Sequence, residues 1–154
     1  MKYYTDGWMM GNNPSPLGGG FTITNESGEV IKREEIYKKG FTNNEAEIRG
    51  IEFALEYADK GDTVSTDSMC CLTWARTGKS KARPDLKERL QHCKLLFTEK
   101  EINLMWEGRD FNLAGIYNEE NQKKFKDERI EYQTKKEFLS FSEEADLILK
   151  NIGL

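Results

Sequence analysis

The sequence predicts an α/β protein in which helices pack on a mixed five-stranded sheet. Its 154 residues are typical of one domain that is large enough to bury a core, and 37% of them are hydrophobic. Short segments rich in β-branched and aromatic residues alternate with turns and with longer segments of helical periodicity. Their order along the chain is three strands, a helix, a strand, helices, a strand and a helix, which is typical of a mixed sheet.

The first three strands are expected to form the sheet's antiparallel part. Residues 2–5 predict the first strand, with Asp6 at its end. The loop GNNPSPLGGG follows, and the segments 20–25 and 29–39 flank the turn NESGE, which predicts a hairpin.

Helices and strands then alternate along the chain. A helix is expected over residues 43–60 and ends at Gly61, and the segment TVST that follows predicts a short strand. Residues 68–74 predict a short helix. Pro84 begins another helix that runs to about Thr98. The segment INLMW predicts the fifth strand, and a helix begins near Leu113.

The C-terminal part predicts an extension beyond this core. Residues 131–141 show less regular periodicity, and Ser142 and Gly153 then provide an N-cap and a stop for a short helix. We therefore expect a domain over residues 1–130 and an extension with a short helix over residues 131–154.

Localisation and assembly are expected from simple properties. No apolar run is long enough to cross a bilayer, and no charged-then-apolar secretion signal is present at the N-terminus. Cys70, Cys71 and Cys93 cannot all pair with one another and lack metal-ligand spacing. We expect a cytoplasmic monomer without a membrane partner. The net charge of −4 argues weakly against binding nucleic acid through bulk positive charge.

Two glutamates near the start of the first helix differ in their predicted roles. Thr42 and Glu45 have the spacing of a capping box, in which each side chain satisfies a free backbone donor. Glu47 instead shares a helical face with Ile51, Ala54 and Ala58. That apolar face is the one expected to pack on the sheet, so Glu47 should point toward the sheet.

Asp6 and Asp67 each follow a predicted strand. Ends of neighbouring strands, met by the first turn of a helix, can bring these acids and Glu47 within a few ångströms of one another. Three carboxylates would repel each other unless a cation neutralised them, and such oxygen ligands suit Mg²⁺ or Mn²⁺. Taken singly, Asp6 and Asp67 are more readily interpreted as helix caps or loop acids than as metal ligands.

The motifs YTDG, GNNP, GGGF, TNNEAE and STDS, in this order, resemble the ribonuclease H family of the bacterial type over roughly residues 2–120. The resemblance implies that Asp6, Glu47 and Asp67 bind two divalent metal ions, Mg²⁺ or Mn²⁺. It also implies a partner and a reaction, namely hydrolysis of the RNA strand of an RNA–DNA hybrid by two-metal displacement that leaves 5′-phosphate products.

The resemblance also implies residues that contact the substrate. Discrimination of RNA from DNA requires contacts to 2′-hydroxyls, which Asn12 or Asn13, together with Asn44, are placed to make. Thr42 corresponds to the threonine of a phosphate pocket. Asparagine in such loops is also a common turn former.

Several positions depart from the family pattern. Met69 stands where the family often has glutamine, and Glu45 where it often has arginine. A short basic segment replaces a long protrusion, and we expect Lys79, Lys81 and Arg83 in it to grip the substrate. Trp74 at its start is expected to pack against either a sugar or the core.

The final loop lacks the histidine of many family members. Arg109, Asp110 and Asn112 resemble a variant with an arginine–acid pair followed by asparagine, and Arg109 is expected to contact the substrate. The family's further carboxylate, four residues after the asparagine, would fall at Ile116. Glu119 is therefore predicted to be the fourth metal ligand, with Glu120 as the second choice.

Two other functions compete with hydrolysis of hybrids. A 3′–5′ exonuclease would also use metal-bound acids, but TDGW lacks the second acid of the Asp-x-Glu motif of those enzymes. A catalytically weak or silent module that binds nucleic acid or protein is the other alternative, and the altered substrate-binding residues mildly favour it.

Overall fold

A computed structural model describes the backbone of residues 1–151 and the side chains of residues 1–137. The five-stranded sheet has the order β3-β2-β1-β4-β5. Its strands are β1 (Lys2–Met9), β2 (Gly18–Asn25), β3 (Val30–Tyr37), β4 (Thr63–Thr66) and β5 (Asn103–Trp106). The pairs β1–β2 and β2–β3 are antiparallel, whereas β1–β4 and β4–β5 are parallel. The predicted mixed sheet is thus confirmed.

The helices follow the predicted order. They are α1 (Asn43–Tyr57), α2 (Met69–Thr77), α3 (Lys87–Glu99) and α4 (Leu113–Asn151), with short 3₁₀ turns at Pro84–Leu86 and Arg109–Phe111. Ser68 caps α2 by accepting from the Cys71 amide at 3.2 Å. Gly78 ends α2 with a φ of 72°, a left-handed conformation that glycine adopts without strain.

Strand β1 is longer than its sequence predicts. Asp6 was expected at the end of the strand, but β1 continues through Trp8 to Met9 because it remains paired with β2. The glycine run Gly18–Gly20, expected to lie mostly in a loop, belongs to β2 for the same reason. Added Cβ atoms on Gly19 and Gly20 would lie 2.3 Å from the Trp8 carbonyl oxygen and 1.9 Å from the Glu34 carbonyl oxygen, respectively. The glycines therefore allow three strands to approach closely.

Helix α1 packs its apolar face on the sheet, as its periodicity predicts. Ile51, Ala54 and Ala58 are almost completely buried. Gly50 lies against β1, since an added Cβ would be 2.4 Å from Thr5 Oγ1. The helix ends at Tyr57 and not at residue 60. Lys100 Nζ donates to the carbonyls of Leu55, Glu56 and Ala58 there, which satisfies acceptors that a helix end leaves free.

The C-terminal part differs from its prediction. Helix α4 is a single helix of 39 residues that includes residues 131–141 and the backbone of Ser142, where an irregular segment and a separate short helix were expected. Between Gly115 and Gly153 the sequence contains neither glycine nor proline, so nothing interrupts the helix. The side chain of Ser142 and residue Gly153, the predicted cap and stop, lie outside the described residues.

The chain divides into two compact units, Met1–Glu119 and Glu120–Leu154. Because α4 runs through this division and through residue 130, the assignment of a domain over 1–130 and an extension over 131–154 stays a prediction. Within the second unit, side chains of opposite charge one turn apart form ion pairs along the helix. An example is Lys135 Nζ, which lies 3.2 Å from Glu131 Oε1. Among the described residues, no helix is both long and apolar enough to cross a membrane.

Candidate metal centre

Asp6 and Asp67 lie side by side where the parallel pairing of β1 and β4 ends. The last residues paired between the two strands are Thr5 and Thr66. Asp6 follows the first of these but remains in β1, paired with Thr22 of β2, and Asp67 follows the end of β4. Both acids therefore emerge at the same edge of the sheet.

Glu47 reaches this edge from the first turns of α1. A Cβ on Gly7 would lie 2.7 Å from the backbone nitrogen of Glu47, so only glycine lets the helix approach β1 this closely. The Gly7 amide donates to the Glu47 carboxylate. The side chain of Glu47 is thus held next to the strand, and the residue is only 4% exposed.

The carboxylates of Asp6, Glu47 and Asp67 each offer an oxygen that lies within 4.8 Å of the oxygens from the other two. Burial raises the pKa of Asp6 to about 7, and the neighbouring Asp67 charge adds to the increase. Burial, together with the charges of Asp6 and Asp67, raises the pKa of Glu47 well above its ordinary value. Burial also raises the pKa of Asp67, although a hydrogen bond from Asn112 opposes the increase.

These features fit a divalent cation. Glu47 Oε2 is buried and has no hydrogen-bond partner in the described part of the chain, so one carboxylate oxygen at the centre of the cluster is unsatisfied. Unpaired buried carboxylates are strongly unfavourable, and a cation held by three hard oxygen ligands would satisfy them. The predicted convergence of the three acids is present in the structure, whereas their binding of metal stays a prediction.

Two asparagines on either side of the start of α4 connect it to this cluster. Asn112 is fully buried; its Oδ1 accepts from the amides of Ala114 and Gly115, and its Nδ2 donates to the Thr5 carbonyl at 3.0 Å. Asn118, within the helix, donates from Nδ2 to Asp6 Oδ2 at 2.8 Å. An added Cβ on Gly115 would lie 3.5 Å from Asp6 Cγ, so the helix backbone passes close to the acid.

Solved structures of ribonucleases H have a similar fold. A ribonuclease H1 isolated from compost by a metagenomic approach is 26% identical, with 75% of this chain and 89% of that chain covered and a TM-score of 0.56. Its complex with an RNA/DNA hybrid gives 27% identity, coverage of 72% and 87%, and a TM-score of 0.53. The N-terminal ribonuclease H domain of a Mycobacterium tuberculosis protein, solved as a fusion with maltose-binding protein, shares the fold at 24% identity, with coverage of 73% and 90% and a TM-score of 0.55.

These likenesses support the assignment of this chain to the ribonuclease H family. No protein-family model and no curated protein matches its sequence, so the assignment comes from likeness to solved structures. The family resemblance expected from the motifs is confirmed, and so is the fold, apart from the separate C-terminal helix.

The predicted fourth ligand, Glu119, is exposed to solvent. The Glu119 side chain is 68% exposed, and its Oε1 is 3.8 Å from Nη2 of Arg109, which is itself 80% exposed. Both residues are close enough for their charges to act on Asp6, whose pKa Arg109 lowers and Glu119 raises. Glu120 is also exposed. The roles of these three residues stay predictions.

Thr42 lies at the start of α1, as the ribonuclease H pattern implies. Its Oγ1 accepts from the Glu45 amide at 3.2 Å, which confirms half of the predicted capping box. The hydroxyl also accepts from Arg83 Nη1 at 2.6 Å. Asn13 Oδ1 accepts from the Asn43 amide at 3.0 Å, so the first loop is connected to the same helix end. The neighbouring Asn12 is exposed.

Glu45 forms a different set of contacts from those its spacing predicts. Its buried carboxylate accepts from Lys38 Nζ at 2.8 Å and from Arg49 Nε at 3.0 Å. Burial would raise the pKa of Glu45, but these two cations lower it below its ordinary value. The charge of Glu45 is thus neutralised by two cations, whereas Glu47, two positions further along, lies next to the like charges of Asp6 and Asp67.

The basic residues that follow α2 differ in their exposure to solvent. Lys79 and Lys81 are exposed, whereas the Arg83 side chain is only 20% exposed and folds back on Asp85, Thr42 and Glu45. The guanidinium of Arg83 donates to both oxygens of Asp85, at 3.0 and 2.8 Å. Arg83 is therefore part of the surface around the start of α1 and not of a loop that projects into solvent.

Trp74 and Asn44 are more enclosed than free substrate-binding side chains would be. Trp74 is half-buried and packs against the hydrophobic core, which agrees with the core alternative for this residue. Asn44 Oδ1 accepts from the Cys71 thiol at 3.7 Å. Burial raises the pKa of that thiol to about 12, so Cys71 is a neutral donor at neutral pH.

Sequence reasoning did not find Asn118 or its partner Thr22. The Thr22 hydroxyl donates to Asn118 Oδ1 at 2.6 Å, and Thr22 is fully buried in β2. The signal that could have found Asn118 is its spacing. Asn118 lies one helical turn after Gly115, so both residues are on the helix face that lies toward Asp6. That signal requires knowing which face of α4 meets the sheet, which the sequence alone did not show.

Proposed function

We propose that the chain is a metal-dependent endonuclease that hydrolyses the RNA strand of RNA–DNA hybrids through a two-metal-ion mechanism. The observation that carries this proposal is the cluster of Asp6, Glu47 and Asp67, whose oxygens lie within 4.8 Å of one another. Likeness to solved ribonucleases H supports the substrate class, since one of these enzymes was solved with an RNA/DNA hybrid.

The metal would be Mg²⁺ or Mn²⁺, with two ions per site, held by Asp6, Glu47, Asp67 and Glu119. When bound, the ions supply an activated water and stabilise the leaving oxygen of the phosphodiester. The chain's own contribution is to position the acids. The Gly7 amide donates to Glu47, the Asn112 side chain donates to Asp67, and the backbone of α4 passes close to Asp6 at Gly115.

The substrate would lie across the start of α1. Thr42, held by the Glu45 amide and Arg83, offers a preformed site for a phosphate of the DNA strand. Asn12, Asn13 and Asn44 would contact the sugar edge of the hybrid, where the 2′-hydroxyl distinguishes RNA. Trp74, Lys79, Lys81, Arg83 and Arg109 complete the proposed substrate-binding set.

The test is cleavage of an end-labelled RNA–DNA hybrid with Mg²⁺ or Mn²⁺ as the added ion. Single-stranded RNA and duplex DNA of the same sequence serve as substrate controls, and Asp6→Asn serves as the protein control. We expect internal cleavage of the RNA strand only, with 5′-phosphate ends and no cleavage by the variant. Cleavage of duplex DNA from its 3′ end would instead indicate an exonuclease.

A catalytically weak or silent binding module is the alternative, and the enclosed Arg83 favours it. This residue, predicted to grip the substrate, has its donors directed to Asp85 and Thr42. Tight hybrid binding without cleavage in either metal would support the alternative.

Cytoplasmic location and a monomeric state also stay predictions.

A further inference from the structure

Asn118 bridges two neighbouring strands of the sheet at the metal centre. Its Nδ2 donates to Asp6 Oδ2 at 2.8 Å, and its Oδ1 accepts from Thr22 Oγ1 at 2.6 Å. Asp6 and Thr22 are directly paired residues of β1 and β2. One carboxamide on α4 is therefore held between two side chains whose backbones are fixed by the sheet ladder.

The two partners of the Asn118 amide fix its orientation. An ionised carboxylate only accepts hydrogen bonds, so Asp6 takes the nitrogen end of the amide, and the Thr22 hydroxyl then donates to Oδ1. Thr22 is fully buried, and its hydroxyl therefore has no competing solvent partner. The orientation places a donor, and not a second acceptor, next to a carboxylate in a crowded acidic cluster.

We propose that Asn118 is a positioning residue of the metal centre, which holds the Asp6 carboxylate in the orientation needed to bind a divalent ion. This role rests on the proposed function, since it concerns the same ion. The amide is neutral, so it restrains Asp6 without adding negative charge to the three carboxylates. Residues that orient a metal ligand through a hydrogen bond commonly change metal affinity by about 10- to 100-fold when they are removed.

The role predicts opposite responses from two substitutions. Asn118→Ala removes the restraint and should weaken Mn²⁺ binding by about 10-fold. Asn118→Asp replaces the donor by a carboxylate next to Asp6, so it should lower the melting temperature without metal and increase the rise in melting temperature that Mn²⁺ produces. A residue with a purely structural role would change the melting temperature equally with and without Mn²⁺.

The experiment titrates the full chain with Mn²⁺ in the absence of substrate, by calorimetry and by thermal melting. Thr22→Val is a second variant, which replaces the hydroxyl that holds the amide oxygen by a methyl group, and it should weaken Mn²⁺ binding less than Asn118→Ala does. Gln122→Ala is the matched control, an exposed polar residue of the same helix, and should bind Mn²⁺ like the wild type. With hybrid substrate, Asn118→Ala should lower kcat and leave KM near its wild-type value.

The outcomes separate this role from the proposed function. Wild-type Mn²⁺ affinity and melting response in Asn118→Ala and Asn118→Asp, in a protein whose Mn²⁺ binding is lost in Asp6→Asn, would overturn the positioning role alone. Altered Mn²⁺ binding in the Asn118 variants, with no cleavage of hybrid by the wild type, would support the role and contradict the proposed function. A wild-type chain that binds no Mn²⁺ would overturn both.

Discussion

Gly7 and Glu47 are in backbone contact at the point where α1 meets β1. A Cβ on Gly7 would lie 2.7 Å from the Glu47 nitrogen and 2.9 Å from the Ala46 carbonyl carbon. The Gly7 amide also donates to the Glu47 carboxylate. The distance between the strand that carries Asp6 and the helix that carries Glu47 therefore depends on the absence of one methyl group.

Gly7→Ala should separate the helix from the strand, because the atoms that the new methyl would meet are mostly backbone and cannot rotate away. We expect a loss of about 1–3 kcal/mol in the free energy of unfolding, together with weaker Mn²⁺ binding. Denaturant titration and calorimetry measure the two effects. Gly108→Ala is the control, since its Cβ would lie 3.7 Å from the Trp106 ring, an ordinary contact. Equal stability of both variants would contradict this account of the packing.

Glu45 and Glu47 should respond differently to the same substitution. Glu47→Gln removes one charge from a cluster of like charges, so it should abolish cleavage and leave the metal-free protein equally stable or more stable. Glu45→Gln removes the partner of Lys38 and Arg49, and we expect a loss of roughly 2 kcal/mol of stability with most activity retained.

Cleavage assays and thermal melts of these two variants form a matched pair. Asp6→Asn and Asp67→Asn should behave like Glu47→Gln. If both glutamate variants lost cleavage to the same extent, the separation of the two roles by helical face would be wrong.

Without metal, the stability of the protein should fall as the pH rises toward neutrality. The pKa of Asp6 is raised to about 7 by burial, so the folded state binds this proton more tightly than the unfolded chain does. Its effect on stability is absent below the ordinary value near 4 and becomes unfavourable between about pH 4 and about pH 7. Glu47 and Asp67 act in the same direction.

Melting temperatures in EDTA from about pH 5 to about pH 8 test this dependence. The range stays above the region where Glu45, whose pKa is lowered, would lose its stabilising charge. Asp6→Asn should reduce the dependence, and excess Mn²⁺ should reverse it, because a cation favours the ionised acids. A wild-type profile that does not change with pH would show that the pKa values of these acids are not raised in the folded state.

The exposed lysines after α2 should determine the salt dependence of hybrid binding. Replacing Lys79 and Lys81 by Ala should weaken binding and reduce the slope of log K against log salt by about one unit for each phosphate that is no longer neutralised by a lysine. Arg83→Ala should mainly lower stability, since Arg83 is held by Asp85 and Thr42. Lys60→Ala, at the other end of α1 and 70% exposed, is the control. An unchanged slope in the double lysine variant would mean that these side chains are only solvated.

Glu119→Gln should lower the cleavage rate and raise the metal concentration required, less severely than Asp6→Asn does. The physical reason is its position: the Glu119 charge acts on Asp6, but its side chain is 68% exposed and close to Arg109. Glu120→Gln is the matched comparison. Wild-type behaviour of Glu119→Gln with loss in Glu120→Gln would transfer the role to the neighbour, and two silent variants would leave a site with three acids.

Local rules were sufficient for much of this protein because they act over a few residues. Spacing along the chain predicts the cap at Thr42 and the buried helix face of Ile51, Ala54 and Ala58. Residue type and turn residues predict the positions of the strand β4 and the helix α2. The proximity of Asp6, Glu47 and Asp67 also followed, since strand ends and a helix start meet at one edge of a sheet.

Local sequence patterns did not predict the ends of elements where hydrogen bonds to other parts of the structure, or continued helical bonding, extend the element. Residue 6 was expected to end a strand, but β1 continues because a second neighbour, β2, still pairs with it. Residues 131–141 were expected to be irregular, but the absence of glycine and proline allows α4 to continue. Weak local signals of this kind are decided by the hydrogen bonds that each element can complete.

Sequence by itself therefore determined the order of elements, the resemblance to ribonucleases H and the choice of the three central acids, because each depends on residue type and short spacing. Only the tertiary structure decided the partners of those acids. Asn118 is 112 residues from Asp6, and Arg83 is 41 residues from Thr42, yet each pair is joined by one hydrogen bond. Such pairs are set by which helix face meets the sheet and by how a loop folds back. That geometry is fixed by packing of the whole core, and no short segment of sequence encodes it.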